Sequence, residues 1–194
     1  MNNEETKCYI MADTETTGLD TRNAVAWQIG MVAFESDYAV SLDFTAIASV
    51  PSAEWEPSTL DFAKKTYNDP TIELATKHMA GYYITMMQHA MEFIEERIGE
   101  YGYKNVYLIC NHVEFDWPIL LNSFTRAGIA LPLTGLIHYQ NKLDLQSLCR
   151  GKAGKKWPEA YAEFKKVSPP VNHIALDDCM SQIAMLEYFE VELP

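Results

Sequence analysis

The 194-residue sequence is poor in cysteine, with four, and short of basic side chains, with 15 Lys and Arg against 27 Asp and Glu, a formal net charge of −12. Cys8, Cys110, Cys149 and Cys179 are scattered, without the paired spacing of a zinc site or a disulfide framework, so buried reduced thiols are expected. No apolar run approaches the roughly 20 residues that cross a bilayer. Residues 1–6 are polar and acidic and lack the basic and apolar stretches of a secretory signal, which leads to a cytoplasmic expectation. The deficit of positive charge argues against a protein that grips long stretches of nucleic acid electrostatically. It leaves room for one that holds a strand end, because clustered carboxylates stay acidic only until a cation arrives. The bases are also unevenly placed. Arg150, Lys152, Lys155, Lys156, Lys165 and Lys166, set against Glu159 and Glu163, give residues 150–166 a net +4 and leave −16 for the rest.

No internal repeat, low-complexity tract or linker interrupts the chain, and 48% apolar content suits a core. A single domain over 1–194 is expected. Residues 7–12 (KCYIMA), 24–34 (AVAWQIGMVAF) and 41–50 have the apolar, β-branched character of strands. Helices are predicted over 57–67, 71–79 and 83–98, the last closing near Gly99 or Gly102. Residues 106–110 (VYLIC) form an interior strand, and 116–127 a helix with Pro118 in its first turn and Gly128 at its end. A further strand is predicted near 135–138 and a final helix over 175–189. Strands followed by alternating strands and helices give an α/β domain with a mixed sheet flanked by helices.

Three segments carry chemistry. The first, Asp13-Thr14-Glu15-Thr16-Thr17-Gly18-Leu19, follows the first strand. Residues two apart along a strand share a face, so Asp13 and Glu15 project side by side. Adjacent carboxylates repel unless a cation lies between them, which suits Mg²⁺ or Mn²⁺. Gly18 would permit close backbone approach to a ligand. The second, Asn111-His112-Val113-Glu114-Phe115-Asp116, lies where a strand gives way to a helix. Asp116 alone needs no catalytic role, since an acid near a helix N-terminus gains ~0.3–1 kcal/mol from the dipole. The third is His173-Ile174-Ala175-Leu176-Asp177-Asp178 at the start of the last helix. Asp178 heads a stripe with Gln182, Met185 and Phe189, whereas Asp177 leads Ser181, Ala184 and Tyr188. The apolar character of the first stripe favours Asp178 over Asp177 as a ligand. His173 is expected in the turn before the helix, beside Val171 and Asn172, within reach of the site that Asp178 faces.

Taken together, the three motifs resemble the DEDD exonuclease superfamily, the DnaQ-like group that includes the polymerase III proofreading subunit, oligoribonuclease and ribonuclease T. The matching elements are Asp-x-Glu at Asp13 and Glu15, an Asn-x-x-x-Phe-Asp element at Asn111, Phe115 and Asp116, and His173 five residues before Asp178. Ile174 stands where the tyrosine branch has its Tyr, so the resemblance is to the histidine type. The stretch around Leu60-Asp61-Phe62 is faintly similar to stand-alone phage and bacterial DNA exonucleases.

The resemblance implies a ribonuclease H-like fold, two divalent cations and release of 5′-mononucleotides from a 3′ end. Asp13 would bridge the ions, Glu15 and Asp178 would complete one site and Asp116 would serve chiefly the other. His173 would be the general base, as an imidazole's ordinary pKa near ~6.5 suits that work. Thr17, Leu19 and Phe115 would cradle the terminal nucleotide, and Lys155 and Lys156 would hold the incoming backbone. Ordinary packing and a solvated helix face are the plainer accounts of these last five. Asp144 is expected to be structural. Single-stranded DNA is the first expected substrate. The alternatives are an exoribonuclease acting on short RNA, a non-catalytic nucleic-acid-binding module, and an accessory protein working through its acidic surface. The oligomeric state is left open.

Overall fold

The protein is described by a computed structural model covering residues 6–77, 80–132, 135–168 and 173–194. Five strands, β1 (Cys8–Thr16), β2 (Ala26–Phe34), β3 (Val40–Ile47), β4 (Val106–Cys110) and β5 (Lys142–Asp144), form one sheet in the order β3-β2-β1-β4-β5. β2 runs antiparallel to both β1 and β3, while β4 and β5 run parallel to β1 and β4 respectively. The expected α/β class, a mixed sheet flanked by helices, is therefore observed.

Alternation along β1 divides the core in two. Ile10 and Ala12 face a layer containing α3 (Ala80–Tyr101) and α4 (Val113–Arg126), with Trp27, Met87, Leu120 and Phe124 buried there. Tyr9 and Met11 face α5 (Leu145–Ala153), α6 (Trp157–Phe164) and α7 (Ala175–Tyr188), with Cys149, Phe164, Cys179 and Leu186 buried between them. α1 (Pro57–Thr66) and α2 (Asp69–Thr76) pack at the first layer's rim through Ala63, Ile72 and Ala75. All four cysteines are buried and unpaired, as expected.

Several boundaries differ from those predicted, each for a local reason. β1 does not stop at residue 12 but continues through Thr16, because its pairing with β2 extends past Asp13↔Gly30 and Glu15↔Gln28 to a bulge. α3 starts three residues earlier than expected, at Ala80, and closes after Tyr101 at Gly102 with φ +85, the second of the two closing glycines expected. α4 begins at Val113 rather than residue 116, since the His112 carbonyl accepts from both Phe115 and Asp116 N–H. Pro118 is thus inside the helix and forfeits the bond to the Glu114 carbonyl, instead of sitting harmlessly in the first turn. The strand predicted near 135–138 is absent among the described residues there, where Gly135 takes φ +81 in irregular chain. The pairing strand is β5, a few residues later. Met79, the predicted end of the second helix, lies outside the described residues. Among those residues, no helix is long and apolar enough to cross a membrane.

Candidate active site

The sheet makes the site by ending unevenly. β4 pairs with β1 only as far as Met11↔Ile109 and stops at Cys110, after which the chain turns into α4. β1 carries on and leaves Asp13 and Glu15 beside a space at the strands' carboxyl end, where open α/β sheets place their ligands. α4 brings Asp116 in from one face of the sheet, and α7 brings Asp178 in from the other. The resulting cleft of about 300 Å³ is lined by Asp13, Glu15, Asp116, Asp178 and His173, with Asn111 and Phe115 from the second motif. The three segments singled out in the sequence therefore meet in space.

Each carboxylate has a support that the motifs did not reveal. Gln182, one turn after Asp178 and 8% exposed, donates from Nε2 to Asp13 Oδ1 at 2.8 Å, while its own Oε1 is buried without a partner. Thr14 donates from Oγ1 to Asp116 Oδ1 at 2.8 Å. The first turn of α7 packs so tightly on β2 that a Cβ built on Gly30 would lie 2.4 Å from the Ala175 carbonyl carbon. Gln28 Oε1 accepts from the Ala175 N–H at 3.3 Å, satisfying one of the free donors at that helix end, and Cys179 Sγ contacts the Gly30 carbonyl at 3.3 Å. Gly30, Gln28 and Cys179 thus set how deeply Asp178 enters the cleft. A polar Gln182 within an otherwise apolar stripe was the available sequence signal. Gly30 inside a strand was another, as a mark of close backbone approach.

Negative charge crowds this space. Burial raises the Asp13 carboxyl well above its ordinary range, reinforced by Asp116, Asp178 and Glu15 and opposed by the Gln182 hydrogen bond. Burial pushes Glu15 up to about 7, with a Tyr67 hydrogen bond opposing and the charges of Asp178 and Asp116 adding. Asp116 is pushed up to about 6 by burial, against hydrogen bonds from Thr14 and the backbone. Asp178 is also raised by burial, with His173 opposing. Ligand atoms of Glu15, His173 and Asp178 lie within 4.8 Å of one another.

His173 is exposed, precedes Ile174 at the start of α7 and has a left-handed backbone at φ +58. Its expected neighbours Val171 and Asn172 lie outside the described residues. Phe62 meets its ring edge-on at 5.3 Å. Asp178, Gln182 and Met185 turn inward while Asp177 is exposed, as the helical stripe required.

The expected substrate-contacting residues are placed variously. Phe115 lines the cleft. Thr17 is buried, and its hydroxyl accepts from the Val25 N–H at 3.2 Å, fastening the β1–β2 connection. Leu19 is 71% exposed on the turn beyond β1. The space above Gly18 is filled by the Glu56 carboxylate, 2.4 Å from where a Cβ would stand, so that glycine serves internal packing rather than ligand approach. Lys155 is paired with Glu163, and Lys156 is exposed at the N-terminus of α6. α6 reaches the cleft through Tyr161, over which Lys165 Nζ sits 4.9 Å from the ring centroid. Asp144 caps α5 by accepting from the Ser147 N–H at 2.7 Å, the structural role expected of it.

Solved structures share this architecture. Escherichia coli exonuclease I in complex with a dT13 oligonucleotide superposes with a TM-score of 0.70 at 15% identity, over 96% of this chain and 41% of that one. The zinc-bound form of the E. coli exonuclease I–ssDNA complex gives 0.67 at 16%, over 93% and 40%. A moderately thermophilic exonuclease I from Methylocaldum szegediense gives 0.67 at 14%, over 94% and 40%. The chain thus spans about two fifths of the length of these proteins, and at such identities the likeness is one of fold. Among curated proteins, none is significantly similar in sequence. The family model described as the 3′–5′ exoribonuclease Rv2179c-like domain matches residues 8–189, from the first residue of β1 to just past α7 and across all three motifs. The DEDD-type resemblance holds at that level, and the chain belongs to the Rv2179c-like 3′–5′ exoribonuclease domain family, a group of 3′–5′ exonucleases.

Proposed function

We propose that the chain removes 5′-mononucleotides from the 3′ ends of single-stranded nucleic acid, in a reaction that needs two divalent cations, Mg²⁺ or Mn²⁺. The observation that carries this reading is the convergence of Asp13, Glu15, Asp116 and Asp178 on one cleft beside His173. Their hard oxygen donors suit those cations, and burial raises their pKa values, with neighbouring carboxylates adding at Asp13 and Glu15, a cost that bound cations would relieve. The four carboxylates would hold the ions, which supply neutralising charge at the scissile phosphate. Gln182 holds one oxygen of Asp13 and Thr14 one oxygen of Asp116. His173 takes a proton from the attacking water as the water oxygen bonds to phosphorus. The P–O3′ bond breaks, solvent protonates the departing 3′ oxygen, and the terminal nucleotide leaves with its 5′-phosphate. Phe115 stands beside the terminal nucleotide, with Leu19 and Thr17 near the strand end, and Lys155 and Lys156 attract the backbone upstream.

The description of the family as exoribonucleases supports an RNA end over the DNA end that the sequence put first. The test uses 5′-labelled RNA and DNA oligomers of matched sequence in Mg²⁺, in Mn²⁺ and in chelator, with Asp13→Ala alongside. The expected result is a ladder shortening from the 3′ end, faster on RNA, that requires metal and disappears in the variant. If neither oligomer shortens in either metal, the proposal is wrong and the fold serves binding alone.

A further inference from the structure

Tyr67 follows α1 as its C-terminal cap, where the backbone becomes extended and swings the ring away from the helix. The ring stands edge-on to Trp27 at 5.0 Å and 87°, and Trp27, 1% exposed, packs in turn on Trp55 at 5.5 Å. The base of the side chain is therefore anchored in the core. Its hydroxyl is not: it donates to the main-chain carbonyl of His173 and is also a hydrogen-bond partner of the Glu15 carboxylate. Burial and the Glu15 charge both push the phenol's pKa upward, so it keeps its proton and acts as a donor.

His173 needs such a partner. It is exposed, it precedes the α7 helix, and it holds a left-handed backbone that is uncommon outside glycine. The Phe62 edge contact is made to its ring, whereas Tyr67 grips its main chain. We propose that Tyr67 is a positioning residue: its hydroxyl, shared between Glu15 and the His173 carbonyl, holds the imidazole against the carboxylates of Glu15 and Asp178. A phenol carries one proton and can satisfy only one of these acceptors at a time. The hydrogen bond to the His173 carbonyl ties the chain before α7 to the end of α1, beside the Glu15 and Asp178 carboxylates. This inference rests on the exonuclease reading above for its kinetic consequences, though not for its structural one.

The test is Tyr67→Phe, which keeps the ring packed on Trp27 and removes only the hydroxyl. Expected is a loss of about tenfold in kcat with the oligonucleotide KM unchanged, because Tyr67 holds the base rather than the strand. In a His173→Ala background the same change should cost nothing further. A loss that persists in that background, or a Phe variant with wild-type kcat, overturns the proposal. The second readout needs no turnover: the His173 amide and imidazole resonances should be sharp in the wild type and broad or averaged in Tyr67→Phe. Identical His173 spectra in the two proteins would also overturn it. A wild type that never shortens an oligomer would refute the exonuclease reading, while the spectra would still decide the role of Tyr67.

Discussion

Asp116 lies 5% exposed in the first turn of α4 with Thr14 on its carboxylate, whereas His173 is exposed, precedes α7 in a left-handed conformation and is gripped by its main chain. Both face one cleft. The carboxylates are built into strands and helices whose packing fixes them before any ligand arrives, and the price is buried negative charge. The histidine avoids that burial, and the Tyr67 hydroxyl tethers its main chain. The site therefore joins a rigid, electrostatically strained wall to an exposed group held in a left-handed backbone, and the two should respond differently to substitution.

The largest effects should separate the two supports. Partners that merely orient metal ligands are worth about 10–100-fold in activity, so Asp116→Asn, which on the proposed reading would remove a ligand, should cost more than about a hundredfold. His173→Ala should cost on the order of 10²–10⁴-fold through loss of general-base catalysis. Their thermal signatures should diverge in chelator. Asp116 and Glu15 have folded-state pKa values raised to about 6 and about 7. Their stabilising contribution is complete below the ordinary carboxylate range and is lost as pH rises through those values. The metal-free Tm should accordingly fall between about pH 4 and pH 7, and Mg²⁺ should restore it at the upper end. Asp116→Asn should flatten this fall and raise Tm at neutral pH, while His173→Ala, which removes a group that opposes the rise at Asp178, should not flatten it. A Tm independent of pH in chelator would mean that the carboxylate wall is not strained. Differential scanning fluorimetry across the pH series provides the check.

A smaller effect probes how the wall is positioned. Gly30→Ala places a methyl group against the Ala175 carbonyl and must push the first turn of α7 outward. Overpacking of this kind costs about 1–3 kcal/mol. Moving Asp178 by a fraction of an ångström should lower kcat by about tenfold, since misplacement of reacting groups is heavily penalised. Ala33→Gly on the same strand serves as the control for general loosening of β2. Equal activity in Gly30→Ala and wild type would show that α7 adjusts without moving its carboxylate.

The contrast between wall and tether also explains what the sequence revealed. The candidate site residues announce themselves through their spacing: Asp13 and Glu15 two apart on a strand, and His173 and Asp178 five apart across a helix start. The strands of 106–110 and 24–34 and the final helix were equally plain, since long apolar periodic runs have few alternatives. Their supports are plain only in three dimensions. Gln182, Gly30 and Tyr67 lie 169, 145 and 106 residues from Asp13, Ala175 and His173, and no local pattern links them. The apolar run of β1 ends at residue 12, whereas pairing with β2 carries the strand on through the polar Asp13-Thr14-Glu15 to Thr16. β5 escaped notice because a three-residue parallel strand offers no periodicity at all.

The weakest expected effect tests whether anything outside the cleft holds the strand. Lys155 already pairs with Glu163, and Lys156 projects from the start of α6, the helix whose Tyr161 reaches the cleft. Exposed charges of this kind act over roughly a Debye length, ~10 Å at 0.1 M salt. Lys155→Ala with Lys156→Ala should therefore raise the oligonucleotide KM about two- to threefold at low salt and leave kcat intact, with the difference fading as salt is added. Loss of Lys155 also frees Glu163, so Glu163→Gln alone separates the two contributions and should lower KM slightly if the pair restrains Lys155. A KM that is indifferent to all three substitutions across the salt series would make the segment a solvated helix face. The strand end would then be held by the carboxylate wall, its cations and the residues lining the cleft.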